Sequence, residues 1–189
     1  MTDWVSHPHI CRAAELLAQQ AVVAYPTESV WGLGCDPQSA PAVEKILRLK
    51  NRNVGKGLIL IADCIERFDP FLAGLEEEYL RRFQELTEKP TTWLVPNNGS
   101  APLWITGGRD TLALRITKHP VAAALCSLAA GPLVSTSANP QGLPAAKSAL
   151  EVENYFGAQI DLQTPGQVGS AINPSEIRYL ISGDVVREG

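Results

Sequence analysis

Apolar positions along this chain repeat with two different periods, and those periods predict its elements. Ile10, Ala13, Ala14 and Leu17 recur at helical spacing. Residues 7–20 are therefore expected to form an amphipathic helix, with Pro8 in its first turn. Ala21-Val22-Val23-Ala24-Tyr25 is a short apolar strand that Pro26-Thr27-Glu28 breaks, and Gly32 and Gly34 predict a close, irregular stretch after it. Residues 40–50 predict a second helix with Val43, Ile46 and Leu47 on one face. Leu58-Ile59-Leu60-Ile61 is the continuous apolar run of a strand covered on both sides. Residues 75–86 predict a helix that turns Leu75, Tyr79, Phe83 and Leu86 to the core. Its other face carries the i,i+4 pairs Glu77–Arg81 and Glu78–Arg82, solvated in the usual way.

The second half continues the alternation. Thr92–Val95 and Thr111–Ile116 read as strands, Pro120–Ala129 as a helix and Leu133-Val134 as a strand. Ser148 and Glu151 have the spacing of a capping box, which opens a short helix that stops at Gly157. Residues 175–187 read as two short strands turning at Ser182-Gly183-Asp184. Strands alternating with helices argue for one α/β domain spanning residues 1–189. Residues 97–109 and 163–174 are its long loops, and long loops in compact domains are often functional.

Composition narrows the picture. The 189 residues are 45% hydrophobic and 19% charged, as in a soluble globular chain. Residues 119–146 contain no Asp, Glu, Lys or Arg, yet Pro132, Pro140 and the polar residues after 134 make them a poor membrane span. The start, Met1-Thr2-Asp3-Trp4, lacks a signal peptide's basic and apolar regions, so a cytoplasmic location is expected. Cys11, Cys35, Cys64 and Cys126 have no zinc-ligand spacing and are read as reduced, packed thiols.

Net charge is -4, but every charged residue from Lys45 to Lys56 is basic: Lys45, Arg48, Lys50, Arg52 and Lys56. A local cationic patch on an acidic protein suggests a discrete anionic ligand. There is no Walker A loop, no dinucleotide-binding glycine motif and no nucleophile elbow. His119, ahead of Pro120 at a helix start, is read as structural, and no His/carboxylate cluster suggests a tightly held metal. What remains are cations and small hydroxyls at strand ends. Lys50 and Arg52 are two apart, so on an extended segment both would project to one side. Ser135, Ser137 and Asn139 alternate in the same way after the strand at Leu133-Val134, and Arg115 and Arg187 add two further anion contacts. Such a site binds anions, aligns them and stabilises developing charge without a protein nucleophile. Taken singly, basic residues at a helix end usually face water, and Ser-Thr-Ser after a strand is often an ordinary turn.

In combination the strings are specific. Tyr25-Pro26-Thr27-Glu28-Ser29-Val30-Trp31-Gly32-Leu33-Gly34-Cys35-Asp36, Lys50-Asn51-Arg52, Leu112–Ile116 with His119-Pro120, Ser137-Ala138-Asn139 with Gly142, Asn173–Arg178 and Val186–Gly189 occur in order. They resemble the motifs of the YrdC/TsaC family of threonylcarbamoyl-AMP synthases in its short bacterial form. The resemblance implies a twisted mixed β-sheet flanked by helices around a cationic cavity. It also implies a reaction: L-threonine and bicarbonate give N-carboxy-threonine, which attacks the α-phosphate of ATP. The adenylate would feed t6A modification at position 37 of tRNA, with other proteins of the pathway as users and tRNA itself as a possible partner. By the same resemblance Lys50, Arg52, Ser137 and Asn139 form a catalytic tetrad around the phosphates. Thr27, Arg115, Ser135 and Ser175 belong to the threonine site, and Thr111, Ala145 and Arg187 to the nucleotide side. Mg²⁺ would enter with ATP.

The chain departs from the family pattern at three places. Asn53 stands where proline usually follows K-x-R, Glu88-Lys89-Pro90 stands in place of W-P-G-P, and Ser135 stands where alanine is common. Any lid is expected from loops of this domain. Two rival readings differ in chemistry: an RNA-binding module using the Lys45–Lys56 patch directly, and carbamoyl-adenylate chemistry on another amine. Net charge and the lack of interleaved aromatics speak against the first.

Overall fold

The computed structural model describes residues 2–85, 87 and 89–189. Among them, nine strands form one mixed sheet. They are β1 (Val23–Pro26), β2 (Trp31–Gly34), β3 (Ile59–Ala62), β4 (Thr91–Pro96), β5 (Thr111–Ile116), β6 (Leu133–Ser137), β7 (Leu162–Gln163), β8 (Glu176–Tyr179) and β9 (Val185–Arg187). Their spatial order is β7-β1-β2-β6-β3-β5-β4-β8-β9. The helices are α1 (Pro8–Leu17), α2 (Ala40–Lys50), α3 (Asp69–Leu72), α4 (Glu77–Gln84), α5 (Leu103–Thr106), α6 (Pro120–Ala129) and α7 (Ala149–Phe156).

Neighbouring residues on a strand face opposite ways, so β1, β3 and β6 each feed two cores. Ile61 and Leu133 join Val23 and Tyr25 under α1 and α6, where Ile10, Leu17, Val121 and Leu125 cover them. Leu60, Leu114 and Leu33 join Val43 and Ile46 of α2, Phe83 of α4 and Phe156 of α7 on the other face. Each such side chain, fully buried, contributes about 1.5–3 kcal/mol of transfer free energy. Layers of helices on both faces leave the strand ends as the open places.

Strand β6 joins the two halves of the sheet. Its Leu133–Ser135 stretch pairs with β3, and Thr136 and Ser137 pair with Leu33 and Gly32 of β2. Ser135 and Ser137 therefore sit where the sheet changes partner. The join is tight at Gly34, where an added Cβ would lie 2.5 Å from the Val134 carbonyl oxygen and 2.7 Å from the Tyr25 ring. Tyr25 donates its hydroxyl proton to that same carbonyl at 3.1 Å. Only glycine fits between them.

Several expectations are corrected. The stretch around Gly32 and Gly34 is not irregular: it is β2, paired with β1 over its full length. The first helix ends at Leu17 rather than 20, because Gln20 takes a positive φ of 65°. The helix expected over 75–86 is α4, ending at Gln84; the Leu86 core contact and Glu88 lie outside the described residues. The 97–109 loop contains α5. Among the described residues, neither i,i+4 pair on α4 closes as an ion pair. Arg82 instead donates to the carbonyls of Leu180 and Ile181 at 2.7 and 2.6 Å. Strand-end carbonyls hold a guanidinium better than a solvated carboxylate does, since exposed pairs are worth little. The capping box forms as read, with Ser148 accepting from Glu151 N–H and Glu151 accepting from Ser148 N–H.

Candidate active site

A cavity of about 210 Å³ opens at the seam between β2, β6 and β3. Eight of the eleven residues singled out from sequence line it: Thr27, Arg52, Arg115 and Ser135, then Ser137, Ala145, Ser175 and Arg187. Among the described residues, no carboxylate is on its wall.

The Lys50-Asn51-Arg52 segment is not extended, and the alternation reading is corrected here. Lys50 is the last residue of α2, and Asn51 takes the left-handed conformation at φ 48° and ψ 45°. Asn51 N–H donates to Arg48 O and Arg52 N–H to Leu47 O at 2.9 Å. This is a Schellman-type helix ending with Asn in glycine's usual place. The turn sends the two cations different ways. Lys50, 4% exposed, donates to the carbonyl oxygens of Ser137 and Asn139, the latter at 2.8 Å, and to Asn139 Oδ1 at 3.2 Å. It stands one layer behind the wall and braces the Ser137–Asn139 turn. Arg52 reaches the cavity, with Nη2 on Gly57 O at 2.9 Å and a buried Nε that has no partner among the described residues.

The expected alternation of Ser135, Ser137 and Asn139 also stops short. β6 ends at Ser137, and Asn139 folds back to accept the Ser137 hydroxyl proton at 2.6 Å and to donate to Leu143 O at 2.6 Å. Thr27 closes its own turn, donating its hydroxyl to Val30 O at 2.7 Å, so toward a ligand it offers lone pairs. Ser175 shares a hydrogen bond with Thr92 at 2.8 Å, and Arg187 donates to Ser175 O at 2.5 Å. Thr111 lies on the same face of β5 as Arg115 but lines a separate depression with Leu94 and Tyr179. The structure does not bring it to the cavity.

Arg115 is 7% exposed; its Nη1 pairs with Glu28 Oε2 at 3.0 Å, and among the described residues its buried Nε has no partner. Trp31 Nε1, also on the cavity wall, is buried without a partner too. Three guanidiniums and, among the described residues, no carboxylate line one cavity, which suits an acceptor-rich ligand. The cations crowd one another. Burial and then Arg115 lower the pKa of Arg187, and burial and then Arg109 lower that of Arg52. Burial and then Arg52 push Lys50 down to about 8. An anion placed among them relieves this repulsion.

Sequence reasoning gave Glu28 no role, although it lies inside the first motif. Burial pushes its pKa up, but Arg115, the Thr117 hydroxyl and backbone N–H groups more than reverse this, leaving it below the ordinary carboxylate range. Trp31 was missed as well, because an indole in a strand reads as core. His119 keeps its structural reading: its ring Nε2 meets Gln167 O at 2.9 Å, and burial lowers its pKa. The basic patch is mostly spent. Lys45 pairs with Asp161 at 2.6 Å, Lys50 is buried, Arg52 faces the cavity, and only Arg48 and Lys56 stay exposed. That leaves little for a nucleic-acid surface.

A mixed sheet flanked by helices, with three arginines lining a cavity at its seam, defines the class as a single α/β domain. The family model Sua5_yciO_yrdC, described as telomere recombination, matches residues 15–189. The chain belongs to the Sua5/YciO/YrdC family. It is 50% identical over 187 residues to the threonylcarbamoyl-AMP synthase of Cellvibrio japonicus, covering 99% of both chains. Among solved structures it is similar to P. abyssi Sua5 complexed with L-threonine, with a TM-score of 0.85 and 30% identity over 93% of this chain. It spans about half of that longer protein, 52%. E. coli YciO is similar at a TM-score of 0.82 and 25% identity, covering 95% of this chain and 88% of its own. Among the described residues, no helix is long and apolar enough to cross a membrane.

Proposed function

We propose that this chain makes threonylcarbamoyl-AMP, a nucleotidyl transfer in the biosynthesis of the t6A modification of tRNA. The whole-length identity to named synthases supports the reaction, and residues 1–189 act as one YrdC-like domain in the cytoplasm. The observation that carries the reading is the cavity lining itself: Arg52, Arg115 and Arg187 with the hydroxyls of Ser135, Ser137 and Ser175, and among the described residues no carboxylate.

The chemistry is that of the family, and the donors fit it. Threonine's amine and bicarbonate condense to a carbamate with loss of water. A carbamate oxygen attacks the α-phosphorus of ATP in line, and pyrophosphate leaves. Arg115 takes the threonine carboxylate, with Ser135, Ser175 and the lone pairs of Thr27 holding the rest of the amino acid. Arg52 and Arg187 meet the phosphates, with Ser137. Lys50 and Asn139 fix the turn that presents Ser137 and add charge from behind. At about 210 Å³ the cavity suits an amino acid and the reacting phosphate, since pockets for larger ligands run to roughly 300–1,000 Å³. The rest of the nucleotide lies across the mouth, past Ala145 and toward Thr111. Mg²⁺ enters with ATP, held by the substrate's own phosphates, as the family resemblance implies. Proteins of the t6A pathway and tRNA are the partners downstream.

Pyrophosphate release measured with ATP, threonine and bicarbonate, each omitted in turn, tests this. Loss of turnover on every omission is expected; turnover indifferent to threonine and bicarbonate would remove the reading.

A further inference from the structure

Glu28 lies off the cavity wall, yet it joins Arg115, the chain past β5 and the Gly169–Ala171 stretch. Its Oε2 holds Arg115 Nη1 at 3.0 Å. Its Oε1 accepts from the Thr117 hydroxyl at 2.8 Å and from Lys118 N–H at 3.0 Å, which anchors the chain just past β5. Its backbone carbonyl accepts from Ala171 N–H at 3.0 Å, and the neighbouring Thr27 carbonyl accepts from Gly169 N–H at 2.9 Å. A Cβ on Gly169 would stand 2.8 Å from the Glu28 carbonyl oxygen, so this contact requires glycine. The segment from Gln167 to Ser175 is thereby strapped across the site. His119 holds it at Gln167, and Thr92 and Arg187 hold it at Ser175.

We propose that Glu28 is the positioning residue of the amino-acid site, fixing Arg115 and the Gln167–Ser175 strap in the geometry that receives the substrate carboxylate. A free arginine side chain has many rotamers, and a guanidinium is useful for a carboxylate only when its fork is held in plane. Glu28 engages Nη1, and among the described residues Nη2 has no hydrogen-bond partner, so that end of the fork stays available to the carboxylate. The same residue's backbone carbonyl, with that of Thr27, orders the strap that brings Ser175 to the wall, so the two sides of the amino-acid site meet at Glu28, one through its carboxylate and the other through its main chain. The proposal rests on the threonine reading above.

Steady-state kinetics of Glu28→Gln, Glu28→Asp and Gly169→Ala test it, with threonine and ATP varied separately. Glutamine keeps one acceptor oxygen but meets Arg115 with an amide. The expected result is a rise in KM for threonine of about tenfold or more in Glu28→Gln, with KM for ATP within twofold. Glu28→Asp should recover part of the loss. Gly169→Ala, which leaves the carboxylate intact and pushes on the strap, should raise the same constant. Wild type should prefer threonine to threonine amide, and Glu28→Gln should lose most of that preference. If wild type needs threonine but the three variants keep its KM, or if both KM values rise together, the positioning role is overturned while the reaction stands. Wild-type turnover without threonine would instead remove the reading of the site itself.

Discussion

Lys50 Nζ donates to Asn139 twice, to its backbone carbonyl at 2.8 Å and to its side-chain Oδ1 at 3.2 Å. The pair is 89 residues apart in sequence, and it locks the end of α2 to the turn after β6. Removing the cation leaves buried carbonyls with no donor, which costs about 1–3 kcal/mol. Lys50→Met should lower folding stability by that amount in urea titration and reduce turnover by about a hundredfold. Arg52→Ala, which removes a wall donor instead, should show a rate loss of similar size, about 3 kcal/mol of barrier. Near-normal rates in both variants would contradict their roles.

The left-handed Asn51 between them carries its own prediction. A β-branched residue there is strained by roughly 1–2 kcal/mol, whereas glycine adopts the conformation freely. Asn51→Gly should keep kcat/KM for ATP within threefold. Asn51→Val should lose that much stability and at least tenfold in kcat/KM, because the turn aims Lys50 and Arg52 differently. Parallel kinetics and thermal melts of the two variants check this; equal behaviour would contradict it.

Lys50 also predicts a pH dependence. Burial, then Arg52, push it down to about 8. The protonated form braces the Ser137–Asn139 turn and adds positive charge from behind the wall, so kcat/KM for ATP should fall as pH rises above about 8. Lys50→Arg stays charged and should lack that limb, whatever its plateau. Stability moves the other way. Between about 8 and the ordinary lysine range, the unfolded chain holds a proton that the folded chain has lost, so this group favours the fold increasingly as pH rises. A wild-type ATP profile flat from neutral pH to 9.5 would contradict the assignment.

Much of the layout was legible because periodicity and ordered motifs are local signals. Ile10, Ala13 and Leu17 showed their helix, and Leu60 and Ile61 their two-sided burial. What escaped depends on backbone turns and on distant partners. Lys50 and Arg52 look alike in sequence, but the left-handed Asn51 makes one a buried brace and the other a wall donor. Arg82 looked like half of a surface ion pair until the Leu180 and Ile181 carbonyls claimed it. Glu28 sits inside the first motif, and nothing local indicates that Arg115, Thr117, Lys118 and Ala171 converge on it. Gly32 and Gly34 read as breakers, although Gly34 is there because β2 passes against Val134 and Tyr25.

The central claim is that a carbamate oxygen derived from bicarbonate becomes bonded to the α-phosphorus of ATP in this cavity. Incubation with ¹³C-bicarbonate, threonine and ATP, followed by phosphorus and carbon NMR, measures that bond directly. The account predicts a ¹³C signal coupled to the phosphorus of an AMP ester, growing in step with pyrophosphate and absent without threonine. Pyrophosphate release with all ¹³C remaining in the bicarbonate pool would contradict it.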